Sequence, residues 1–445
     1  MDKMKMFFGK RFFLTILCFG LIGLLQAQEQ KEVLTLTLEK AIQVALDENP
    51  TIKAADKEIT LKKIADKQAW QTLLPQVDIT GRLDHTITAA QMNLGGQSFK
   101  MGKDNSNTAN AIFAISLPVF APGVYKTMSM TKADIELAVE RSRASKLDLM
   151  NQVTKAYYQL ILAQDSYRVL EASYKLAEDN FKVVSEKFSQ GTVSEFDKIS
   201  AEVQMRSIKP NVISADNAVK LAKLQLKVLM GVTADVDLDI KDQLDNYETS
   251  LFGEQLEASE HGLVNNTTMK QFDLNKKLLQ KNLSLLKTNF MPTLSLSYSY
   301  QYQSLYNPNF NVFNYNWGNS SSIMLNVSIP LFKASNFTKV KSVRVQLDQL
   351  EYNRVDTERK LNMQVTTYRD NMKKSSEQVV SNRENVIQAK KAVEIAGKRY
   401  EVGKGTVLEL NTSQVSLTQA QLAYNQSIYD YLVAKSDLDK LMGKE

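Results

Sequence analysis

Residues spaced for catalysis are scarce in this 445-residue chain. His85 and His261 are the only histidines, and each stands alone; Cys18 is the only cysteine. No glycine-rich phosphate loop, metal-spaced cluster or nucleophile motif occurs, so the sequence assigns no catalytic, cofactor or metal residue and argues against an enzyme. What recurs instead is a carboxylate. Asp197 follows Gly191, and Glu409 follows Gly403, at the same spacing. An acidic side chain just past a helix break suits electrostatics rather than bond making, because it meets the positive end of the next helix.

The two carboxylates belong to a tandem repeat. Phe188-Ser-Gln-Gly191-Thr-Val-Ser194-Glu-Phe-Asp197 is echoed by Tyr400-Glu-Val-Gly403-Lys-Gly-Thr406-Val-Leu-Glu409. Leu229-Met230-Gly231 returns as Leu441-Met442-Gly443, and Ile115 to Phe120 as Val327 to Phe332. One offset of 212 positions relates all three pairs. A duplication of this length points to architecture before it points to a local site.

Residues 1–27 read as a secretory signal peptide. Lys3, Lys5, Lys10 and Arg11 precede an apolar stretch, Phe12 to Leu25, that is too short to span a bilayer. Cleavage after Ala27 would remove Cys18 and leave no thiol. The net charge is +6, about half of it in this leader. A nearly neutral remainder speaks against a nucleic-acid partner.

The rest divides into a first repeat at 28–231, a connector at 232–262 and a second repeat at 263–445. In each repeat the period changes from helical to two and back. Strands are predicted at about 76–88 and 108–118, then at about 293–303 and 321–330. Val77, Ile79, Leu83, His85 and Ile87 alternate with polar residues, as do Leu294, Leu296, Tyr298, Tyr300 and Tyr302. Their length and tyrosine-rich faces suit an outer-membrane barrel, although soluble sandwich strands alternate too. Polar tips such as Met92 to Gln97 join them as loops. The copies differ by five residues between Pro75–Pro118 and Pro292–Pro330, and the loops must absorb this.

Helical hairpins are predicted over about 125–230 and 335–442. Tyr125 to Ser189 holds neither proline nor glycine. Tyr167, Leu170, Tyr174, Ala177, Phe181, Val184 and Phe188 form a 3–4 seam. The second copy repeats it as Val379, Asn382, Val386, Ala389, Val393, Ala396 and Tyr400, with Asn382 a polar exception. Such a seam is a coiled-coil signature. Pro210 should kink the first return helix. The connector reads as acidic, irregular or partly helical, and packed on the outside.

Together these features resemble the TolC-like outer-membrane efflux proteins over roughly Leu34 to Gly443. The resemblance implies a mainly α fold with a membrane β-barrel. Three copies would build a twelve-stranded barrel and a periplasmic α-helical tunnel. It implies the exit duct of a tripartite efflux or type I secretion system, in contact with outer-membrane lipid. A periplasmic adaptor would dock at the tip, and an inner-membrane pump of RND or ABC type would drive transport. By resemblance, Phe188, Gly191, Tyr400 and Gly403 form the adaptor-docking tip, although the glycines also serve simply to reverse the chain. The pore entrance falls on Tyr400, Glu409 and Thr412, with Asp197 the first-repeat counterpart of Glu409. Three Glu409 carboxylates in a ring would hold cations and repel anions. Two positions of the family pattern differ. Thr412 stands where a second acidic residue is usual, and Gly405 where a basic residue locks the gate. The rival reading is a periplasmic coiled-coil adaptor, which lacks paired amphipathic hairpins.

Overall fold

The computed structural model describes residues 33–233, 235–251 and 263–444. The segment 1–27 expected to be a signal peptide, with Cys18, and connector residues 252–262, with His261, lie outside them.

Helices α3 (Pro122–Ser189) and α7 (Ala334–Glu401) have 68 residues each, about 100 Å at the usual rise. Each turns back into a 36-residue helix, α4 (Glu195–Met230) and α8 (Val407–Met442). The bounds of the two pairs coincide at the 212 offset, because the same breakers and caps recur. The predicted seam is the inner stripe of each hairpin: Ala177, Val184, Val379, Ala389 and Ala396 are buried, and the other seam positions half-buried. Asn382 fits the stripe by donating from Nδ2 to the Ala423 carbonyl at 3.2 Å. Helix α4 runs on through Pro210. The four helices lie side by side in the order α4–α3–α8–α7.

Shorter helices brace this layer. Helices α1 (Leu38–Glu48), α2 (Pro50–Gln71) and α6 (Thr267–Thr288) all lie against α3. The repeated Leu-Met-Gly triplets make the joints. Gly231 and Gly443 end α4 and α8 in the left-handed conformation, at φ 71° and 69°. Asn49 Nδ2 donates to the Leu229 carbonyl at 2.8 Å, and Asn266 Nδ2 to the Leu441 carbonyl at 2.7 Å. Each asparagine also caps its own helix, Oδ1 accepting from Thr51 N at 2.8 Å or Met269 N at 3.0 Å.

Strands β2 (Gln76–Thr86), β5 (Ser106–Phe120), β7 (Thr293–Asn307) and β8 (Gly318–Ser328) form one antiparallel sheet in that order. The register gathers Val77, Ile79, Phe113, Ile115, Tyr298, Tyr300, Ile323 and Leu325 on one face. Asp78, Thr80, Arg82, Asn110, Ser299 and Gln301 share the other. Among the described residues no second sheet covers the apolar face, so this is not a sandwich, and Ile79 is 80% and Ile323 75% exposed. Among the described residues the outer edges of β2 and β8 have no partner strand.

Two expectations need correction. The first tip is not only a loop: β3 (Ala90–Leu94) and β4 (Gln97–Met101) form a small hairpin. Gly95 and Gly96, at φ 60° and 85°, make the two-residue turn that such a hairpin requires. His85, at the base of this tip, lies 2.9 Å from Asn107 Oδ1. The connector, in turn, is not merely laid on the outside. Its strand β6 (Asp237–Asp239) pairs in parallel with β1 (Val33–Thr35), a short helix α5 (Glu248–Leu251) follows, and Leu238, Ile240, Leu244 and Leu251 are buried in the main core. Three-residue strands leave no period to read. Asp242 Oδ2 accepts from Tyr157 and Tyr247 hydroxyls at 2.6 and 2.9 Å. Asp165 Oδ2 accepts from Leu244 N at 2.9 Å. Burial, then the Asp242 charge, pushes the nearby Tyr158 phenol up to about 12.

The joints predict a graded response to alanine. A Cβ at Gly443 would fall on the Asn265 carbonyl, and one at Gly231 would lie 2.9 Å from the Glu48 carbonyl oxygen. Gly443→Ala should therefore destabilise by about 3 kcal/mol, combining backbone strain with the clash. Gly191, at φ 72° in open space, should cost only about 1 kcal/mol when replaced by alanine. Thermal unfolding of the purified variants measures the difference.

Candidate functional site

The site is built from the two helix reversals. At the first, Gly191 N donates to the Phe188 carbonyl at 2.9 Å and Thr192 N to the Lys187 carbonyl at 3.0 Å. At the second, Gly403 N reaches the Tyr400 carbonyl at 3.2 Å and Lys404 N the Arg399 carbonyl at 2.8 Å. Both glycines have φ 72°, which satisfies the last carbonyls of α3 and α7 and starts the chain back.

Each return helix opens on a capping box. Asp197 N donates to Ser194 Oγ at 3.2 Å, and Ser194 N to Asp197 Oδ2 at 3.2 Å. Glu409 N donates to Thr406 Oγ1 at 3.1 Å, and Thr406 N to Glu409 Oε2 at 3.4 Å. Thus Asp197 and Glu409 cap helices, as their position after the break implied. The signal was legible as Ser/Thr-x-x-acidic in both copies. Thr412 is exposed, and its hydroxyl returns to the Leu408 carbonyl at 2.8 Å.

The two tips are held together. Val184 on α3, Ala201 on α4 and Val407 on α8 form a separate buried cluster, with Phe181, Val193 and Tyr400 packed on it. Lys187 Nζ sits 4.8 Å from the centre of the Tyr400 ring, and Lys198 Nζ 5.0 Å from that of Phe188. The Tyr400 hydroxyl is buried without a hydrogen-bond partner among the described residues. Burial first, and the Asp197 charge second, raise its pKa. It therefore stays a neutral hydroxyl, an available donor, at ordinary pH.

Sequence reasoning missed three basic groups: Lys187, Lys198 and Arg399. Arg399 Nη2 donates to the Lys404 carbonyl at 3.2 Å, and Nη1 lies 3.8 Å from Glu409 Oε2. These contacts form only after the turn closes, so no spacing announces them. Gly405 belongs to the same arrangement. A Cβ there would lie 3.0 Å from Arg399 Cβ and 3.1 Å from Tyr400 N.

This tip predicts that the ring of Tyr400 matters to the chain more than its hydroxyl. Tyr400→Ala should loosen the cluster by about 2 kcal/mol and speed tryptic cleavage after Lys404. Tyr400→Phe should leave the cleavage rate unchanged, since it removes an unpaired polar group. An accelerated rate in Tyr400→Phe would show that the hydroxyl has a partner in another chain.

With this geometry in hand, the chain can be set beside known proteins. The family described as Outer membrane efflux protein matches residues 41–232 and 259–444. The outer membrane protein TolC of Vibrio cholerae serotype O1 is 20% identical over 394 residues, 88% of this chain and 86% of that protein. The solved structure of CusC superposes with a TM-score of 0.74 at 15% identity, covering 93% of each chain. The Campylobacter jejuni CmeC outer membrane channel gives 0.73 at 17%, covering 94% of this chain and 90% of that one. At such identities the superpositions establish a shared fold.

Proposed function

Because this chain belongs to the outer membrane efflux protein family, we propose that it is one of three subunits of an outer-membrane exit duct, opened when a periplasmic adaptor docks on its helical tips. The observation that carries the reading is the sheet with two unpaired edges and an uncovered apolar face. Unpaired backbone groups are too costly in lipid, so the sheet must close with other copies. Three copies supply twelve strands, enough to enclose an aqueous channel. An inner-membrane pump of RND or ABC type then supplies the energy, and the duct itself is passive. Phe188, Gly191, Tyr400 and Gly403 are the docking surface, and Glu409 and Thr412 stand at the entrance. Family membership favours this reading over a coiled-coil adaptor.

The internal repeat specifies how the copies meet. Within the chain α3 packs against α8, where Asn151 Nδ2 donates to Ser436 Oγ at 3.0 Å. The equivalent positions at the 212 offset are Met363 on α7 and Leu224 on α4. Both are exposed, at 64% and 48%, on the two flanks of the helix layer. A copy rotated about the duct axis brings Met363 onto Leu224 of its neighbour. A variant carrying Met363→Cys and Leu224→Cys, with no other cysteine past the leader, should crosslink into dimers and trimers in outer-membrane extracts. The same protein should open channels in planar bilayers. A monomer that neither crosslinks nor conducts would refute the duct.

A further inference from the structure

Helix α8 differs from its neighbours in where it places charge. Leu410 to Tyr429 contains no Asp, Glu, Lys or Arg. Between Glu409 and Asp430 the uncovered positions of α8 are Thr412, Ser416, Gln419, Ala423 and Gln426, a stripe at 3–4 spacing, with Val415 at its border. A water-facing helix surface of this length usually carries charges, as α7 does with Lys373, Lys374, Lys390 and Lys391. The first repeat keeps the property although its residues differ. Subtracting 212 gives Ser200, Gln204, Ser207, Asn211 and Ser214 on α4. The charges of α4 between Ser200 and Ser214, namely Glu202, Arg206 and Lys209, fall off that stripe, and Arg206 pairs with Glu202.

The orientation of the stripe follows from what covers the rest of α8. Asn411 and Thr418 face α3, through Asn180 at 3.3 Å and Ser173 at 2.9 Å. Tyr424, which lies on nearly the opposite side of α8 from Gln419 and Gln426, donates its hydroxyl to connector residue Glu248 at 2.9 Å. The stripe thus lies on the side of the helix layer away from the connector. At its tip end Glu409 is not a bare carboxylate, since it caps α8 and has Arg399 beside it.

We propose that this stripe and its α4 counterpart form an uncharged hydroxyl-and-amide wall along the inside of the duct, so that the duct passes solutes of either charge sign. The inference rests on the duct reading and goes beyond it to selectivity. Rings of like charge in a narrow pore focus the field and select by sign. Between Thr412 and Gln426, about 21 Å of helix, α8 supplies none.

Reversal potentials across a potassium chloride gradient, with the purified trimer in planar bilayers, test the wall. The wild-type protein should show a cation-to-anion permeability ratio of about one, rising to about five in Gln419→Glu, which adds a ring of three carboxylates. Ser207→Glu, in the other repeat, should act in the same direction and serves if Gln419→Glu fails to assemble. Lys241→Glu, on the exposed connector, should leave the ratio unchanged. A strongly cation-selective wild type would overturn the proposal. So would open channels whose selectivity ignores both stripe variants, although the duct reading would survive. A protein that forms no channel at all would overturn the duct reading and the wall together.

Discussion

Everything above the helices depends on the unpaired edges of β2 and β8. A sheet of four strands with Ile79 and Ile323 bare on one face and Arg82 and Gln301 on the other is unfinished as an isolated object. Hydrogen-bond donors and acceptors along an edge cannot be left in hydrocarbon. In the proposed assembly, closure through further copies would pair the edges, leave the apolar face to lipid, and fix the axis around which the helices are arranged. The long helices inherit that axis, because Phe120 and Pro122 are nearly consecutive and β5 passes directly into α3.

Below the sheet the connector does the complementary task. It reaches α3 through Asp165 and Tyr157, α8 through Tyr424, and α7 through the Arg383–Glu248 ion pair at 3.0 Å. With the Asn49–Leu229 and Asn266–Leu441 joints, it makes the middle of the molecule the most tightly packed zone. The tips, by contrast, are held by a small cluster around Val184 and Val407 and by two cation–π contacts. In the proposed duct, the motion that opens the entrance would concentrate at the tips, where few buried contacts have to break.

How much of this was legible in the sequence follows from what repeats. The seams, the glycine reversals and the helix-capping place of Asp197 and Glu409 are periodic or local features, and each occurs twice. The four strands of the sheet are equally plain, since alternation over about ten residues marks a strand. The β3–β4 hairpin was hidden because Met92 to Gln97 looks like any polar loop until Gly95-Gly96 is weighed as a two-residue turn. The buried half of the connector was hidden because Leu238, Ile240 and Leu244 are too few to show a period. Arg399 and Lys187 were invisible as site residues for a different reason. Their partners are set by chain reversal and by packing between hairpins, not by spacing.

The duplication also explains why equivalent flanks are not alike. On α8 the flank that meets α3 carries Asn411, Thr418 and Asn425, and polar pairs such as Asn180–Asn411 suffice there. The same positions on α4 are Ile199, Arg206 and Ile213, and both isoleucines are more than half exposed. The two contacts face different entropic demands in the proposed assembly. A contact inside one chain is formed at the high effective concentration that the covalent link imposes, so it tolerates polar partners. A contact between copies must offset lost translational and rotational freedom, and the burial of apolar surface is the main driving force that can do so. The change from Asn411 and Asn425 to Ile199 and Ile213 is then what the proposed assembly favours, with one copy of the interface within the chain and the other between chains.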